Sequence, residues 1–180
     1  MKIQEEVNYF AELEQHLSQL IIRKKKTGVE MIEDFSTYVP RQTLSRFLVR
    51  HELYKMIVDV KGSIVGCGVF RGAGLMSWAE LSSIYEPMNY HREIVGFDTF
   101  SGFPDVVDID KGNKKNINAK KGGVAADSYD ELSKAIELYD NNRFLSHIEK
   151  VRLIKGDFVK TGPVFIQKNK HFLVSLLYLD

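Results

Sequence analysis

Cysteine is nearly absent from the 180 residues: Cys67 stands alone, so no intrachain disulfide can form and a reducing, cytoplasmic setting is expected. Net charge is nearly absent too. The formal charge of +1 argues against a chain built mainly to bind polyanions such as nucleic acid. No uninterrupted apolar run approaches the ~20 residues of a membrane span. The opening residues Met1-Lys2-Ile3-Gln4-Glu5-Glu6 carry acids where a secretory signal needs a basic and then an apolar run. No internal repeat is visible. What is present in quantity is apolar side chain, 44% of the chain, enough for one globular domain with a real core.

The apolar residues fall into alternating patterns. Ile3, Val7, Phe10, Leu13, Leu17, Leu20 and Ile21 recur at three and four residues and predict a helix with one apolar stripe, available for packing on the domain or on a second copy. Lys24-Lys25-Lys26 suit its negative C-terminal end, and Gly28 is expected to stop it. Tyr38-Val39-Pro40-Arg41 introduces a second helix carrying Leu44, Phe47, Leu48, Tyr54, Ile57 and Val58. His51 lies near that apolar face and reads as a partly buried structural residue, with no second ligand at metal-binding spacing. Strands are expected at 64–67, 93–97, 151–154 and 172–179, and helices at 75–84, around 132–139 after a cap at Asp127 or Ser128, and around 163–168. The last run, Phe172 to Leu179, is nearly all apolar, which predicts a parallel strand buried on both faces. Between Pro104 and Ala126 periodicity is lost among Asp, Lys, Asn and Gly, predicting a mobile loop near the ligand. Its lysines lack the interleaved aromatics of a nucleic-acid surface.

Alternating strands and helices predict an α/β fold, a Rossmann-like doubly wound parallel sheet with right-handed crossovers. Its N-terminal helices form an extension over 1–37 ahead of a ligand-binding domain over 38–180. In such sheets ligands sit beyond the carboxyl ends of the strands. There the chain places the turn Gly68-Val69-Phe70-Arg71-Gly72, then Asp98, Asp157 and Asp180. Gly68 and Gly72 let backbone pass close to a ligand, or make an ordinary strand–helix turn. Asp98 offers acceptors to a ribose diol; its other role would be to cap the next turn. The interval from Gly68 to Asp98 is 30 residues, longer than the ~20 of a dinucleotide fingerprint. Arg71 occupies the position where that fingerprint needs glycine, so the turn suits a non-phosphorylated nucleoside such as S-adenosylmethionine better than a nicotinamide dinucleotide. Asp157 could accept from an adenine amino group or cap the helix after it. Cys67 reads as a small buried residue, because nothing near it in sequence would generate a thiolate. Asp180, at the end of an apolar strand, could bind a cation or orient a hydroxyl, but one carboxylate cannot make a metal site unaided.

Two runs carry a resemblance: Gly62-Ser63-Ile64-Val65-Gly66-Cys67-Gly68-Val69-Phe70-Arg71-Gly72 and Gly96-Phe97-Asp98-Thr99-Phe100-Ser101-Gly102-Phe103-Pro104. With Tyr38-Val39-Pro40-Arg41, Lys155-Gly156-Asp157-Phe158 and Ser175-Leu176-Leu177-Tyr178-Leu179-Asp180, they resemble the macrocin O-methyltransferase (TylF-like) family of class I, S-adenosylmethionine-dependent sugar O-methyltransferases. The resemblance implies transfer of a methyl group to a sugar hydroxyl of a glycoside, nucleotide sugar or surface polysaccharide, assisted by a divalent cation such as Mg2+. By position it implies that Gly68, Val69, Phe70, Arg71 and Gly72 meet the methionine part of the cofactor. Asp98, with Thr99 and Phe100 beside it, takes the ribose; Asp157 and Phe158 flank the adenine; and Asp180 matches a metal-binding acid. Two departures accompany it. The family generally has an acid at the position of Gly66, which helps hold the amino-acid end of the cofactor, and its loss should weaken cofactor binding. The family also continues beyond Asp180 into further strands and metal ligands, so the chain reads as the cofactor-binding front half, ending after the fourth strand. The alternative expectation is therefore a catalytically inactive binding or assembly module, pairing through its N-terminal helices.

Overall fold

In a computed structural model the structure describes residues 3–102 and 128–179, with the side chains of residues 3–7 left out. The expected loop over 104–126, the cap at Asp127 and the metal assignment at Asp180 lie outside the described residues. The chain forms two compact units, Met1–Arg46 and Phe47–Asp180.

The first unit is helical. Helix α1 (Ile3–Lys24) ends on Arg23 and Lys24, which complement its negative carboxyl end. Among its described side chains the apolar stripe is only partly covered: Leu13, Leu17 and Leu20 are half-buried, while Phe10 and Ile21 are 41% and 52% exposed. Gly28 does not simply stop this helix; it begins the next one, α2 (Gly28–Glu33). The reason is a capping box. Thr27 Oγ1 accepts from the Glu30 amide and Glu30 Oε2 accepts from the Thr27 amide, so two orphan donors are satisfied reciprocally. A short helix α3 (Phe35–Tyr38) follows. Helix α4 (Arg41–Lys55), most of which belongs to the second unit, starts where Pro40 predicts: the Pro40 carbonyl accepts from the Thr43 and Leu44 amides, and no donor is needed from the proline itself.

The second unit is the doubly wound sheet. Strands β1 (Ser63–Cys67), β2 (Ile94–Asp98), β3 (Val151–Lys155) and β4 (Val174–Leu179) are all parallel, in the order β3-β2-β1-β4. Helices α5 (Ala73–Tyr85), α6 (Tyr129–Asn141) and α7 (Phe158–Lys168) connect or follow them. The two-residue strand period sorts the apolar side chains between two cores. Ile64 and Ile94 pack on one face with Tyr54, Leu75, Trp78, Leu132 and Ile136, while Val65, Val95 and Phe97 pack on the other with Phe165 of α7. Helix α7 begins at Phe158, five residues ahead of Pro163, because Asp157 caps it.

Strand β4 departs from expectation. Rather than being buried on both faces, it is an edge strand of the described sheet, and Val174, Leu177 and Leu179 are 52%, 53% and 68% exposed. Its apolar composition reflects one covered face, where Leu176 and Tyr178 pack on the larger core, and one bare face.

Gly66 and Gly96 are register partners in neighbouring strands, yet their surroundings differ. A Cβ on Gly96 would lie 2.8 Å from Val69 Cγ2 and 2.9 Å from Leu75 Cδ1, whereas one on Gly66 would meet nothing within 4 Å. Gly96→Ala is therefore expected to destabilise by ~1–3 kcal/mol through overpacking, read as a lower urea midpoint.

The base of the sheet contains Lys150, 3% exposed, whose Nζ donates to the Asn89 carbonyl at 2.6 Å. Burial, and then the nearby Arg143, push its pKa down to about 8. Unfolded, the same lysine keeps its proton up to its ordinary value, so the unfolded state binds more protons above pH 8 and stability rises with pH there. Tyr54 and Tyr139 act oppositely. Burial raises both, Tyr139 to about 12, and they make stability fall once the unfolded tyrosines ionise. The unfolding free energy should thus rise by about 1–2 kcal/mol between pH 8 and 10, a figure discounted for residual solvation of the ammonium, and fall beyond, read as urea midpoints across the range. Lys150→Met should flatten the rising limb.

Candidate functional site

The site is built where β1 and β2 end. After Cys67 the chain must leave the sheet and turn into α5 within five residues, and it does so through left-handed backbone: Gly68 at φ 92°, Phe70 at φ 52° and Gly72 at φ 86°. The end of β2 does the same, with Phe100 at φ 56° and Gly102 at φ 84°. Phenylalanine in this region is strained and persists only where its surroundings fix it. Gly72 is required on a second count, since a Cβ there would drive into Leu132.

Asp98 does the fixing. Its Oδ2 accepts from the Val69 amide at 2.7 Å and the Phe70 amide at 2.8 Å, and its Oδ1 accepts from the Phe100 amide at 2.7 Å. One carboxylate thereby ties the glycine turn after β1 to the turn after β2. The capping role weighed from the sequence is present, in the bond to Phe100. The two bonds across to Val69 and Phe70 are additional, and nothing local in the sequence announces them. A carboxylate offers about four acceptor positions, so three amides leave one, on Oδ1, for a ligand hydroxyl. Ser128 secures the turn from the other side, its Oγ donating to the Phe70 carbonyl at 2.6 Å. Thr99 Oγ1 donates to the Gly102 carbonyl at 2.6 Å and closes the second turn. Phe70 itself is 44% exposed, with the Arg71 guanidinium 5.4 Å from its ring centroid.

The third strand contributes at the same edge. The Gly156 amide donates to the Asp98 carbonyl at 2.8 Å, holding the β3 exit beside Asp98. Asp157 Oδ1 accepts from the Val159 amide at 3.0 Å, so the helix-capping role is realised in α7 and Oδ2 remains for another donor. Phe158 is 42% exposed and packs edge-on against Phe97, with centroids 5.0 Å apart. Gly162 lies under its ring, where a Cβ would come within 3.0 Å of Phe158 Cε2. The result is an outward aromatic face near the Asp98 carboxylate's end of the sheet. Cys67 is partly buried and burial raises its pKa, which keeps it a thiol, not a nucleophile. His51 Nε2 lies 2.6 Å from the Tyr85 hydroxyl, in keeping with a structural role.

Among the described residues, two hollows lie against the sheet. The larger, about 800 Å³, is an open groove at the amino ends of the strands, lined by Lys61, His91, Lys168, Lys170 and His171 among others. The smaller, about 20 Å³, lies at the carboxyl ends between Gly66, Gly68, Gly74, Trp78 and Tyr178. Size favours the first and chemistry the second. Only the carboxyl end combines strained turns, a spare carboxylate position and a helix amino terminus, the combination with which open α/β sheets hold ligands. Among the described residues no group of three or more His, Cys, Asp or Glu side chains converges to hold a metal ion, and no helix is long and apolar enough to cross a membrane.

This architecture matches the crystal structure of CalS11, a calicheamicin methyltransferase, with a TM-score of 0.85 and 31% identity over 94% of this chain and 66% of that one. The fold is class I methyltransferase-like. The apo structure of CalS11, described as a TDP-rhamnose 3'-O-methyltransferase in calicheamicin biosynthesis, matches with a TM-score of 0.74 and 27% identity, over 94% of this chain and 65% of that one. The chain thus spans just under two thirds of the length of the structures it matches. No protein-family model matches the sequence, and no curated protein matches it either.

Proposed function

We propose that this chain seats S-adenosylmethionine at the carboxyl ends of β1, β2 and β3 and serves O-methyl transfer to a sugar hydroxyl, with a nucleotide sugar as the acceptor class. The observation that carries the reading is the Asp98 carboxylate, which joins two left-handed turns into one rigid rim and keeps one acceptor position open. The likeness to CalS11, whose described substrate is TDP-rhamnose, supports the acceptor class. So do the runs that resemble the macrocin O-methyltransferases.

In this reading the glycine turn from Gly68 to Gly72 faces the amino-acid end of the cofactor. Asp98 takes a ribose hydroxyl on Oδ1, beside Thr99 and Phe100, while Phe158 and the free oxygen of Asp157 face the adenine. The cofactor supplies an electrophilic methyl group on a sulfonium, and the protein contributes position: strained turns fixed before the ligand arrives cost nothing to organise afterwards. The described residues do not assemble a cation site, so no step is assigned to a metal, and the role of Asp180 as a ligand stays with the resemblance.

Incubating the chain with methyl-labelled S-adenosylmethionine and TDP-rhamnose, with added magnesium or with chelator, tests the reading. Label in the sugar is the expected result, and loss of label with chelator would support the cation. Binding of the cofactor without transfer to any nucleotide sugar would favour the binding-module reading, which Gly66 supports by withholding the acid at the amino-acid end.

A further inference from the structure

Ser128 is the N-cap of α6, the place where a serine hydroxyl ordinarily accepts from the first amides of its own helix, yet it makes no side-chain capping bond. It is 6% exposed, and its Oγ donates to the Phe70 carbonyl at 2.6 Å, 58 residues away in sequence. The cap is given up for one of the two strained residues of the rim. Phe70, at φ 52°, is thereby pinned on both sides, its amide by Asp98 and its carbonyl by Ser128. Phe100, at φ 56°, is held in the same two-sided way. Its amide donates to Asp98, and its ring, 5% exposed, meets Tyr129 edge-on with centroids 5.1 Å apart. The Tyr129 ring centroid also lies 5.0 Å from Nζ of Lys155, the register partner of Asp98 at the end of β3. Leu132, further along the same helix, fills the space that Gly72 leaves without a side chain.

The first turn of α6 therefore touches the exits of β1, β2 and β3, and it holds the strained residues at groups that Asp98 does not reach. Resting on the reading of this rim as an S-adenosylmethionine seat, we infer that Ser128 and Tyr129 are positioning residues for the cofactor. They act through Phe70 and Phe100, keeping both in left-handed backbone before the ligand arrives. A phenylalanine in that region relaxes unless its surroundings over-determine it, and a carboxylate on its amide fixes only one side of the residue. Held on both sides, the turn is organised in advance. Held on one, it has to be ordered by the ligand, and apparent affinity falls with the fraction of molecules in the competent form. The coupling is reciprocal: a ligand that needs these turns in place also steadies the start of α6.

Two readouts on the full chain test this: amide hydrogen exchange without ligand, and calorimetric affinity for S-adenosylhomocysteine. Ser128→Ala should speed exchange at the Phe70 amide, and Tyr129→Leu at the Phe100 amide. Each should weaken S-adenosylhomocysteine ~3- to 10-fold, the equivalent of one hydrogen bond or one aromatic pair. Conservative changes should rescue. Tyr129→Phe keeps the ring and should bind within about twofold of wild type; Ser128→Thr keeps the hydroxyl and should bind more tightly than Ser128→Ala. Tyr139→Phe is the control, because it removes the bonds to the Ala79 carbonyl and the Ser83 hydroxyl at the other end of the same helix. It should lower the urea midpoint yet leave affinity, and exchange at Phe70 and Phe100, as in wild type. Cooperative urea unfolding of each variant shows that it folds. Wild-type affinity in Ser128→Ala or in Tyr129→Leu would overturn the assignment of that residue, and a loss in Tyr139→Phe equal to theirs would reduce both to structural roles. If wild type itself binds no S-adenosylhomocysteine, it is the seat that fails, and the positioning role with it.

Discussion

Asp98→Ala is expected to weaken binding of S-adenosylhomocysteine by ~100-fold or more and to lower stability by about 2 kcal/mol. The substitution removes the shared acceptor of the Val69, Phe70 and Phe100 amides. Val69 and Phe100 are each 5% exposed, so water replaces the lost acceptor poorly at those two positions. Phe70, half exposed, can rehydrate, and with its amide released only the Ser128 bond to its carbonyl still holds φ at 52°. The turn should relax, and the ligand would then have to organise it during binding. Asp98→Asn separates the two roles. It keeps one acceptor oxygen and should recover part of the stability, but its amide group replaces an acceptor by a donor opposite the turn, so most of the binding loss should remain. Calorimetry reads the first effect and urea unfolding the second. Unchanged affinity in Asp98→Ala would remove Asp98 from the site.

Arg92→Met should cost ~3–5 kcal/mol, the range for breaking a buried pair from one side, against a total stability of ~5–15 kcal/mol for a domain of ordinary size. Arg92 is 2% exposed, and its guanidinium is the hub of the amino end of the sheet. Nε donates to Glu86 Oε2 at 2.7 Å; Nη1 donates to the Gly62 carbonyl at 2.9 Å and to Ser175 Oγ at 2.7 Å; Nη2 donates to the carbonyls of Ile57 and Val60 at 2.9 and 3.0 Å. Those partners join the chain after α4, the entry to β1, the end of α5 and β4. Glu86 is raised by burial but more than offset by hydrogen bonds from Tyr54, Arg92 and Asn89, which hold it below the usual carboxylate value. Without Arg92 it would be left as a half-buried charge. Arg92→Lys should recover little, because one ammonium cannot span carbonyls on opposite sides of the fork. The double variant Arg92→Met, Glu86→Gln should be less destabilised than the sum of the single changes. A loss under about 1 kcal/mol in Arg92→Met would contradict the hub.

The contrast between these two residues shows what the sequence makes legible. Asp98 is readable because its signal is local: an apolar strand ending in a carboxylate, followed by a glycine turn, repeats a pattern that sheet geometry places beside the turn after β1. The strands are readable for the same reason, each being a short apolar run between turn residues. Arg92 carries no local mark. Its partners stand 30 residues before it and 83 after, and only the closed sheet brings them together. The apolar run of β4 predicts burial on both faces because composition records that a strand is apolar and not which of its faces is covered. Thr27 to Glu30 is a different case: the capping box stands in the sequence, but Gly28 within it carries the stronger stop signal.

On the proposed function, a nucleoside cofactor lies over the rim that Asp98 holds, at the carboxyl ends of the strands. Amide NMR of the chain titrated with S-adenosylhomocysteine addresses it most directly. Saturable shifts are expected at Val69, Phe70, Asp98, Phe100 and Phe158, with the amides around Lys61, His91 and Lys170 unmoved. Saturable shifts confined to that amino-end groove, or no shifts at millimolar ligand, would contradict it.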